Sequence, residues 1–172
     1  MLHYYFGEGK GKTSSALGLA LRALGHGKSV TLVHFFKNGL YATGEDKVLE
    51  SFAPSVSVFS HRVSDWIDFK GITHEQTRAL ELFFERLAAE LTKNEFDFLI
   101  LDEFVYVLAY SLLPLDNLYE WLLGYSAKKE VIVTGRPRVP RLMEEADYVT
   151  EFLAHKHPFI QNGQAPRPGI EY

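Results

Sequence analysis

Cysteine is absent from the 172-residue sequence. Its absence excludes disulfide bonds, cysteine-ligated zinc, iron–sulfur clusters and a thiol nucleophile, and it suits a reducing interior. Positive charge is not in excess either, because 18 basic residues stand against 22 acidic ones and give a net charge of -4. No global field therefore attracts nucleic acid or an anionic membrane surface, and any anionic ligand has to be held locally.

Long apolar runs are also missing. The longest, residues 104–113, is much shorter than the stretch of about 20 residues that crosses a bilayer. Residues 1–12 lack the apolar core of a signal peptide. We therefore expect a cytoplasmic protein without membrane contact. The 47% hydrophobic and 23% charged residues are typical of a globular protein, and the length predicts one domain, residues 1–172.

Short β-branched and aromatic runs alternate with helical patterns along the chain. The predicted strands are residues 2–6, 30–36, 56–60, 96–101, 131–134 and 148–153. Strands that alternate with helices are typical of βαβ units. The sequence thus predicts an α/β fold of three layers, α/β/α, with a mainly parallel central sheet.

Helix signals fill most of the intervals between these strands. Leu17, Leu21 and Leu24 recur at helical spacing after the first strand. Thr73 and Gln76 form a capping box that begins the longest predicted helix. Shorter helices are predicted over residues 104–111, 116–123 and 140–146. Residues 37–46 and 61–72 resist assignment, and the proline-rich tail from residue 155 onward is predicted to be extended.

A glycine-rich loop lies between the first predicted strand and the first predicted helix. Its residues are Gly7, Glu8, Gly9, Lys10, Gly11, Lys12, Thr13 and Ser14. Backbone amides in such a loop and at a helix N-terminus bind polyphosphate, while the lysine reaches the terminal phosphates and the hydroxyl binds Mg²⁺. The loop is one residue shorter than the usual phosphate loop, because Phe6 stands where that pattern has its first glycine. A carboxylate repels phosphate, so the side chain of Glu8 should point away.

A second motif is the apolar strand that ends in Asp102 and Glu103. In a parallel α/β sheet the carboxyl ends of the strands meet at the ligand crevice, so these carboxylates should approach the Mg²⁺ of the phosphate loop. An acidic helix cap is the simpler alternative. Together the two motifs predict Mg²⁺–ATP binding in a P-loop NTPase-like fold, without specifying the reaction.

Over nearly its full length the sequence resembles the P-loop ATP:corrinoid adenosyltransferases. The resemblance rests on residues 7–27, 100–103 (ILDE), 133–136 (VTGR), 146–151 (ADYVTE), 156–159 (KHPF) and 169–172 (GIEY). The shortened phosphate loop is itself typical of this family. The resemblance implies transfer of the 5′-deoxyadenosyl group of ATP to cobalt(I) of a reduced corrinoid, cobalamin or cobyrinic acid a,c-diamide, with release of triphosphate.

The resemblance also implies roles for individual residues. Lys12 would stabilise the departing triphosphate, Thr13 and Glu103 would contact Mg²⁺ with Asp102 near them, and Arg22 would lie near the nucleotide. It further implies a homodimer and a reductase that supplies the electron for reduction of the corrinoid cobalt.

The corrinoid side matches the family less closely. In the family, Phe and Trp two residues apart press on the corrin. Here Trp66 is retained, but Ser64 replaces its aromatic partner. Either Trp66 acts alone, or Phe69 contributes, or the corrinoid is handled differently. An ordinary half-buried aromatic is the alternative for Trp66.

Other functions remain open at this point. Asp102 followed by Glu103 also suits a P-loop ATPase that hydrolyses ATP, with one metal ligand and one water-activating carboxylate. A non-catalytic protein that binds corrinoid or nucleotide is a third possibility. A nucleoside kinase is disfavoured because related kinases carry a cysteine zinc site. Arg136 follows an apolar strand and is a further candidate for phosphate contact.

Overall fold

One all-parallel sheet forms the centre of the protein. The computed structural model describes residues 1–38, 44–64 and 67–171. Within them the strands are β1 (Leu2–Phe6), β2 (Val30–Asn38), β3 (Val56–Val63), β4 (Phe98–Asp102), β5 (Glu130–Thr134) and β6 (Tyr148–Glu151). They lie in the order β3-β2-β4-β5-β1-β6, and every neighbouring pair is parallel. The predicted sheet is therefore confirmed.

Seven helices accompany the strands in the described part of the chain. They are α1 (Lys12–Gly25), α2 (Gly44–Leu49), α3 (His74–Lys93), α4 (Val105–Ala109), α5 (Leu115–Ser126), α6 (Pro140–Glu145) and α7 (Pro158–Asn162). The capping box at the start of α3 is confirmed, because Gln76 N donates to Thr73 Oγ1 and Thr73 N donates to Gln76 Oε1. This local signal was readable in the sequence because both partners lie within one turn.

Alternate residues of the central strands divide the core into two layers. Leu99 and Leu101 of β4 face the larger cluster, which includes side chains of α3 and α5. Ile100 faces the smaller cluster, which includes Ala16 and Ala20 of α1. Burial on both faces explains why these strands are continuous apolar runs rather than alternating ones. Helices thus cover both faces of the sheet, as the three-layer prediction requires.

The chain after β6 differs from its prediction. The tail was expected to be extended, but Pro158–Asn162 form the short helix α7. Proline fits the first turn of a helix because its missing N–H has no intrahelical partner there. Gly163 ends this helix in the left-handed region, with φ of 66°. Pro158 therefore begins a helix here and Gly163 ends it.

No helix in the described ranges is both long and apolar enough to cross a bilayer. The two unassigned segments are partly resolved into regular structure. Lys37 continues β2, Gly44 begins α2, and residues 61–63 lengthen β3. Predictions that concern residues 39–43 and 65–66 lie outside the described residues.

Candidate active site

The phosphate loop connects β1 to α1, as the sequence predicts. Gly7 and Gly11 have φ angles of 106° and 114°, a region that side chains strongly disfavour and glycine adopts freely. Gly11 precedes the first residue of α1, and its carbonyl accepts the first helical hydrogen bond from Ser15 N at 2.8 Å. The loop therefore delivers the helix N-terminus, with its free amide groups, to the carboxyl edge of the sheet.

The loop also rests on residues that follow β5 and β6. Gly9 N donates to Phe152 O at 2.7 Å, and Gly7 N donates to Arg136 O at 3.2 Å. A Cβ atom on Gly7 would lie 2.5 Å from Phe152 O, and one on Gly9 would lie 2.7 Å from it. Close approach of protein backbone thus requires both glycines. The sequence analysis missed Phe152 as the support, because Gly9 and Phe152 are far apart in the chain.

Lys12 turns its side chain back into the loop. Its Nζ donates to Gly7 O at 2.7 Å and to Gly9 O at 2.8 Å, and the residue is only 9% exposed. Burial lowers its pKa, while the charge of Glu103 opposes that effect. An ammonium has three protons, so one remains for a ligand while two hold the loop closed.

Asp102 is a buried hydrogen-bonding centre at the end of β4. Its Oδ1 accepts from Thr13 Oγ1 at 2.7 Å and from Thr134 Oγ1 at 2.8 Å. Its Oδ2 lies 3.0 Å from Nδ1 of His34. Burial opposes ionisation, but the bonds from His34 and Thr13 hold the pKa of Asp102 below its usual range. The structure therefore brings Asp102 and Thr13 together as the motifs predict.

His34 is a site residue that the sequence analysis missed. It is fully buried, and its second nitrogen, Nε2, lies 3.0 Å from Asp46 Oδ1 on α2. Burial lowers its affinity for a proton, yet the hydrogen bonds to Asp102 and Asp46 raise its pKa to about 9. His34 pairs with Asp102 in the register of β2 and β4. A histidine near the end of an apolar strand was the available signal.

Glu103 carries an unusual backbone and an unsatisfied side chain. Its φ is 62°, and its amide donates to Thr134 Oγ1 at 3.0 Å. The Oε2 atom is buried and has no hydrogen-bond partner among the described residues. Burial, and next the charge of Asp102, raise the pKa of Glu103 to about 7. A buried, unpartnered carboxylate oxygen suggests a site for a ligand or ion.

Thr13, Asp102 and Glu103 carry oxygen atoms of the kind that suit Mg²⁺. No group of three or more His, Cys, Asp or Glu side chains positioned for a metal occurs in the described ranges. Mg²⁺ does not need one, since it binds through one or two carboxylates together with phosphate oxygens and waters. The open Oε2 of Glu103 beside this group fits such an ion.

The remaining loop side chains lie outside this cluster. Glu8 is exposed and accepts a hydrogen bond from Arg136 Nη1 at 3.0 Å, in agreement with the expectation that it points away from the loop interior. Lys10 Nζ donates to Ile170 O and lies 3.7 Å from a carboxylate oxygen of Glu171. The tail thus covers part of the loop, which the sequence did not reveal.

Two further predicted site residues are exposed on α1. Ser14 is exposed in the first turn of α1. Arg22 is exposed in its last turn, roughly 15 Å along the helix from Lys12 at 1.5 Å per residue. Trp66 lies outside the described residues. Their contacts with ATP or corrinoid stay predictions.

An aromatic stack, defined as Phe69, Tyr106 and Tyr110, lies beside the acidic pair. The ring of Phe69 stacks on those of Tyr106 and Tyr110 at 4.5 and 5.2 Å. Tyr110 remains 38% exposed. Burial, and next the charge of Glu103, raise the pKa of Tyr106 to about 12. A flat, partly exposed aromatic surface therefore adjoins Glu103.

We expect Gly9→Ala to weaken ATP binding. The new methyl group would lie 2.7 Å from Phe152 O and from its carbonyl carbon, so the loop has to shift. An overpacked contact costs about 1–3 kcal/mol, which corresponds to roughly 5- to 150-fold in affinity. Isothermal titration calorimetry with Mg²⁺–ATP measures it.

Gly18→Ala is the matched control for this substitution. Gly18 lies within α1, with nothing within 4 Å of an added Cβ, so we expect unchanged ATP affinity and a gain of about 0.5–1 kcal/mol in unfolding free energy. Wild-type ATP affinity in both variants would contradict the role assigned to the close contact between Gly9 and Phe152.

Comparison with known proteins identifies relatives over the whole chain. Residues 1–172 match the profile of the family described as ATP:corrinoid adenosyltransferase BtuR/CobO/CobP. The corrinoid adenosyltransferase of Escherichia coli (strain K12) is 34% identical over 174 residues, which cover 98% of this chain and 83% of the relative. That of Pseudomonas aeruginosa is 34% identical and covers 100% and 83%, and that of Salmonella typhimurium is 34% identical and covers 98% and 83%. With a match that leaves no part of the sequence out, the chain belongs to the ATP:corrinoid adenosyltransferase family.

Proposed function

We propose that this protein transfers the 5′-deoxyadenosyl group of ATP to cobalt(I) of a reduced corrinoid and releases triphosphate, in adenosylcobalamin formation. The observation that carries the proposal is the shortened phosphate loop in a chain of this family. Lys12 donates to two carbonyls of this loop, and Thr13 donates to Asp102 beside it. We propose that residues 1–172 act as a single nucleotide-binding domain.

The reaction is a substitution at the ribose C5′ carbon. The electron pair of cobalt(I) forms the Co–C bond. The C5′–O bond breaks, and the triphosphate oxygen keeps the electron pair of this broken bond. No proton has to move, so no general base is needed. The protein orients the two substrates and stabilises the charge that develops on the leaving group. Lys12 and the amide groups at the start of α1 are the donors for that charge.

Thr13, Glu103 and Asp102 would hold Mg²⁺. When bound, the ion neutralises charge on the triphosphate oxygens. Thr13 donates its hydroxyl proton to Asp102, which leaves the oxygen lone pairs free for the ion. Glu103 offers its unpartnered Oε2. Both oxygens of Asp102 already accept hydrogen bonds, so its main part is to orient Thr13.

The corrinoid would bind against aromatic side chains. We assign Trp66 to this contact by family resemblance. Phe69 is the nearest replacement for the family aromatic absent at Ser64, because it belongs to the partly exposed aromatic stack. Arg22 is assigned to the nucleotide, and Gly7, Glu8, Gly9, Lys10, Gly11 and Ser14 to the phosphates, with Glu8 taking part through its backbone.

We also propose that the protein is a cytoplasmic homodimer and that a separate reductase supplies the electron that reduces the cobalt of the corrinoid. The support is the family resemblance together with a sequence that holds no cysteine. Sedimentation at several protein concentrations tests the dimer.

One anaerobic reaction tests the proposed function. The protein is mixed with Mg²⁺–ATP and a chemically reduced corrinoid, the visible spectrum is followed, and the phosphate product is identified. We expect a light-sensitive alkylcobalt spectrum with one triphosphate per corrinoid. ADP and phosphate with an unchanged corrinoid would instead indicate an ATPase. Tight corrinoid binding without turnover would indicate a carrier.

We expect Trp66→Ala to impair formation of the bound cobalt(I) species more than ATP binding. Loss of the aromatic contact leaves water or a base on the cobalt, which opposes reduction, while the phosphate loop is untouched. Spectroscopic titration with a reductant measures the first effect, and calorimetry with Mg²⁺–ATP measures the second. Lower ATP affinity with unchanged cobalt reduction would refute the proposed contact. Phe69→Ala, tested alongside, shows whether the aromatic stack shares the task.

A further inference from the structure

Each cation at the phosphate loop already contacts an oxygen of the protein. Lys12 donates to loop carbonyls, Lys10 to the carbonyl of Ile170, and Arg136 to the carboxylate of Glu8. The last pair differs from the others, because Glu8 is part of the loop and carries the charge sign of phosphate.

The backbone places Arg136 at the loop. Its carbonyl accepts the amide of Gly7 at 3.2 Å, so the residue is bonded to the first glycine of the loop. The preceding Gly135 is pressed against α4, where an added Cβ would lie 2.6 Å from Cβ of Val105. Arg136 therefore extends from a turn that is fixed on both sides, and only its side chain is free to change partner.

The charge of Arg136 reaches the interior of the loop. Burial is the main cause that lowers the pKa of Lys12, and the positive charge of Arg136 adds to it. A triphosphate held by Lys12 would thus lie within electrostatic range of the guanidinium. Arg136 is 58% exposed and Glu8 is 63% exposed at the side chain, so both can rotate toward another partner.

The Arg136–Glu8 pair is easily exchanged for phosphate. Exposed ion pairs contribute little to stability because solvent screens them. A guanidinium donates two parallel hydrogen bonds to a phosphate, and such charge-assisted pairs are among the stronger ones in proteins. A triphosphate also carries several negative charges, whereas Glu8 carries one.

We propose that Arg136 binds the triphosphate and that Glu8 competes with it for the same guanidinium. Glu8 holds Arg136 in the free enzyme, yields it to the triphosphate chain of ATP, and takes it back when inorganic triphosphate leaves. This inference rests on the proposed function for its substrate. The carboxylate is tethered next to its partner at high effective concentration, so it lowers the affinity for the product and speeds its release.

Calorimetric binding of inorganic triphosphate with Mg²⁺, in the absence of corrinoid, tests the exchange. We expect Arg136→Ala to weaken binding by roughly 10- to 100-fold, the effect of losing a hydrogen bond to a charged group. We expect Glu8→Gln to tighten binding by up to about fivefold, which corresponds to release from an exposed ion pair. Arg136→Lys keeps the charge without the paired donors, and should fall between wild type and Arg136→Ala.

The double variant decides whether the two side chains are coupled. If Glu8 acts by holding Arg136, Glu8→Gln should have almost no effect once Arg136 is alanine. The same tightening in both backgrounds would show that Glu8 acts only through its net charge, and would overturn the proposed exchange. Unchanged affinity of Arg136→Ala would overturn the assignment of Arg136 to triphosphate.

Glu81→Gln is the matched control. Glu81 pairs with Arg78 at 2.9 Å on α3, a helix that packs against β3, so we expect unchanged triphosphate affinity. The assay needs no corrinoid and no turnover. If Glu8 and Arg136 are coupled but the protein does not transfer adenosyl, the proposed function fails and this inference stands. If they are not coupled but the protein is active, this inference fails and the proposed function stands.

Discussion

Replacing Lys12 by alanine is expected to slow adenosyl transfer by about 10²–10³-fold, the usual effect of removing one donor to developing negative charge. The ammonium lies inside the loop, within hydrogen-bonding distance of Gly7 O and Gly9 O. Its charge would be most effective when triphosphate departs. Single-turnover rates at saturating ATP and cobalt(I) corrinoid measure this step, and a wild-type rate would contradict the assigned role.

Lys10→Ala is the control for the loss of charge alone. Lys10 belongs to the same loop, but its side chain is 49% exposed and lies beside Glu171. Because solvent screens an exposed charge, we expect a change of less than about tenfold. Equal losses in the two variants would indicate general attraction of ATP rather than stabilisation of the leaving group at Lys12.

Asp102→Asn is expected to lower the free energy of unfolding by about 3–5 kcal/mol, as removal of one member of a buried ion pair does. The substitution leaves the buried imidazolium of His34 with only one carboxylate, Asp46. Both hydroxyl protons go to Oδ1, so an asparagine that keeps these two bonds turns its NH₂ group toward Nδ1 of His34, where an acceptor is needed. Urea denaturation of the metal-free protein in EDTA measures the loss.

The same measurement has a defined pH dependence. In the wild type the pKa of His34 is raised from 6.5 to about 9. Its contribution, about 3 kcal/mol at 1.36 kcal/mol per pKa unit, is fully present below pH 6.5 and is lost as the pH rises through about 9. We expect Asp102→Asn to flatten this fall. A wild-type stability that is constant between pH 6.5 and 9 would contradict the charged histidine.

Asp97→Asn serves as the control at the opposite end of β4. Asp97 accepts from Ser29 N at 3.0 Å and pairs with Lys28, but its side chain is 39% exposed. We expect a loss of at most about 1 kcal/mol. If Asp97→Asn lowers the free energy of unfolding as much as Asp102→Asn does, then the loss reflects any carboxylate at a strand end and not the buried pair with His34.

Local patterns made much of the fold and half of the site predictable. The phosphate loop, the capping box at Thr73 and the acidic pair after β4 each occupy a few neighbouring residues, so their chemistry is visible in the sequence. Parallel strands buried on both faces are equally recognisable, because their apolar runs are continuous. These features sufficed to place Lys12 and Thr13 next to Asp102.

Contacts between distant parts of the chain were not predictable in this way. His34 and Asp102 are 68 positions apart, and they meet only because β2 and β4 are neighbours in one particular register. The hydrogen bond from Gly9 N to Phe152 O likewise depends on β6 lying beside β1. No local propensity encodes strand order, which follows from the packing of the whole sheet. Sequence patterns therefore identified the residues of the phosphate loop but missed the residues that hold them in place.

The position of β1 also determines when this protein becomes functional during its synthesis. β1 precedes the other five strands of the described sheet in the chain, yet its neighbours in the sheet are β5 and β6. At a translation rate of about 5–20 residues per second, this apolar segment waits roughly 6–30 s for residues 130–151 to emerge. It is a natural target for chaperones during that interval. Because Phe152, directly after β6, accepts the amide of Gly9, we expect the phosphate loop to reach its final shape only after β6 has docked beside β1.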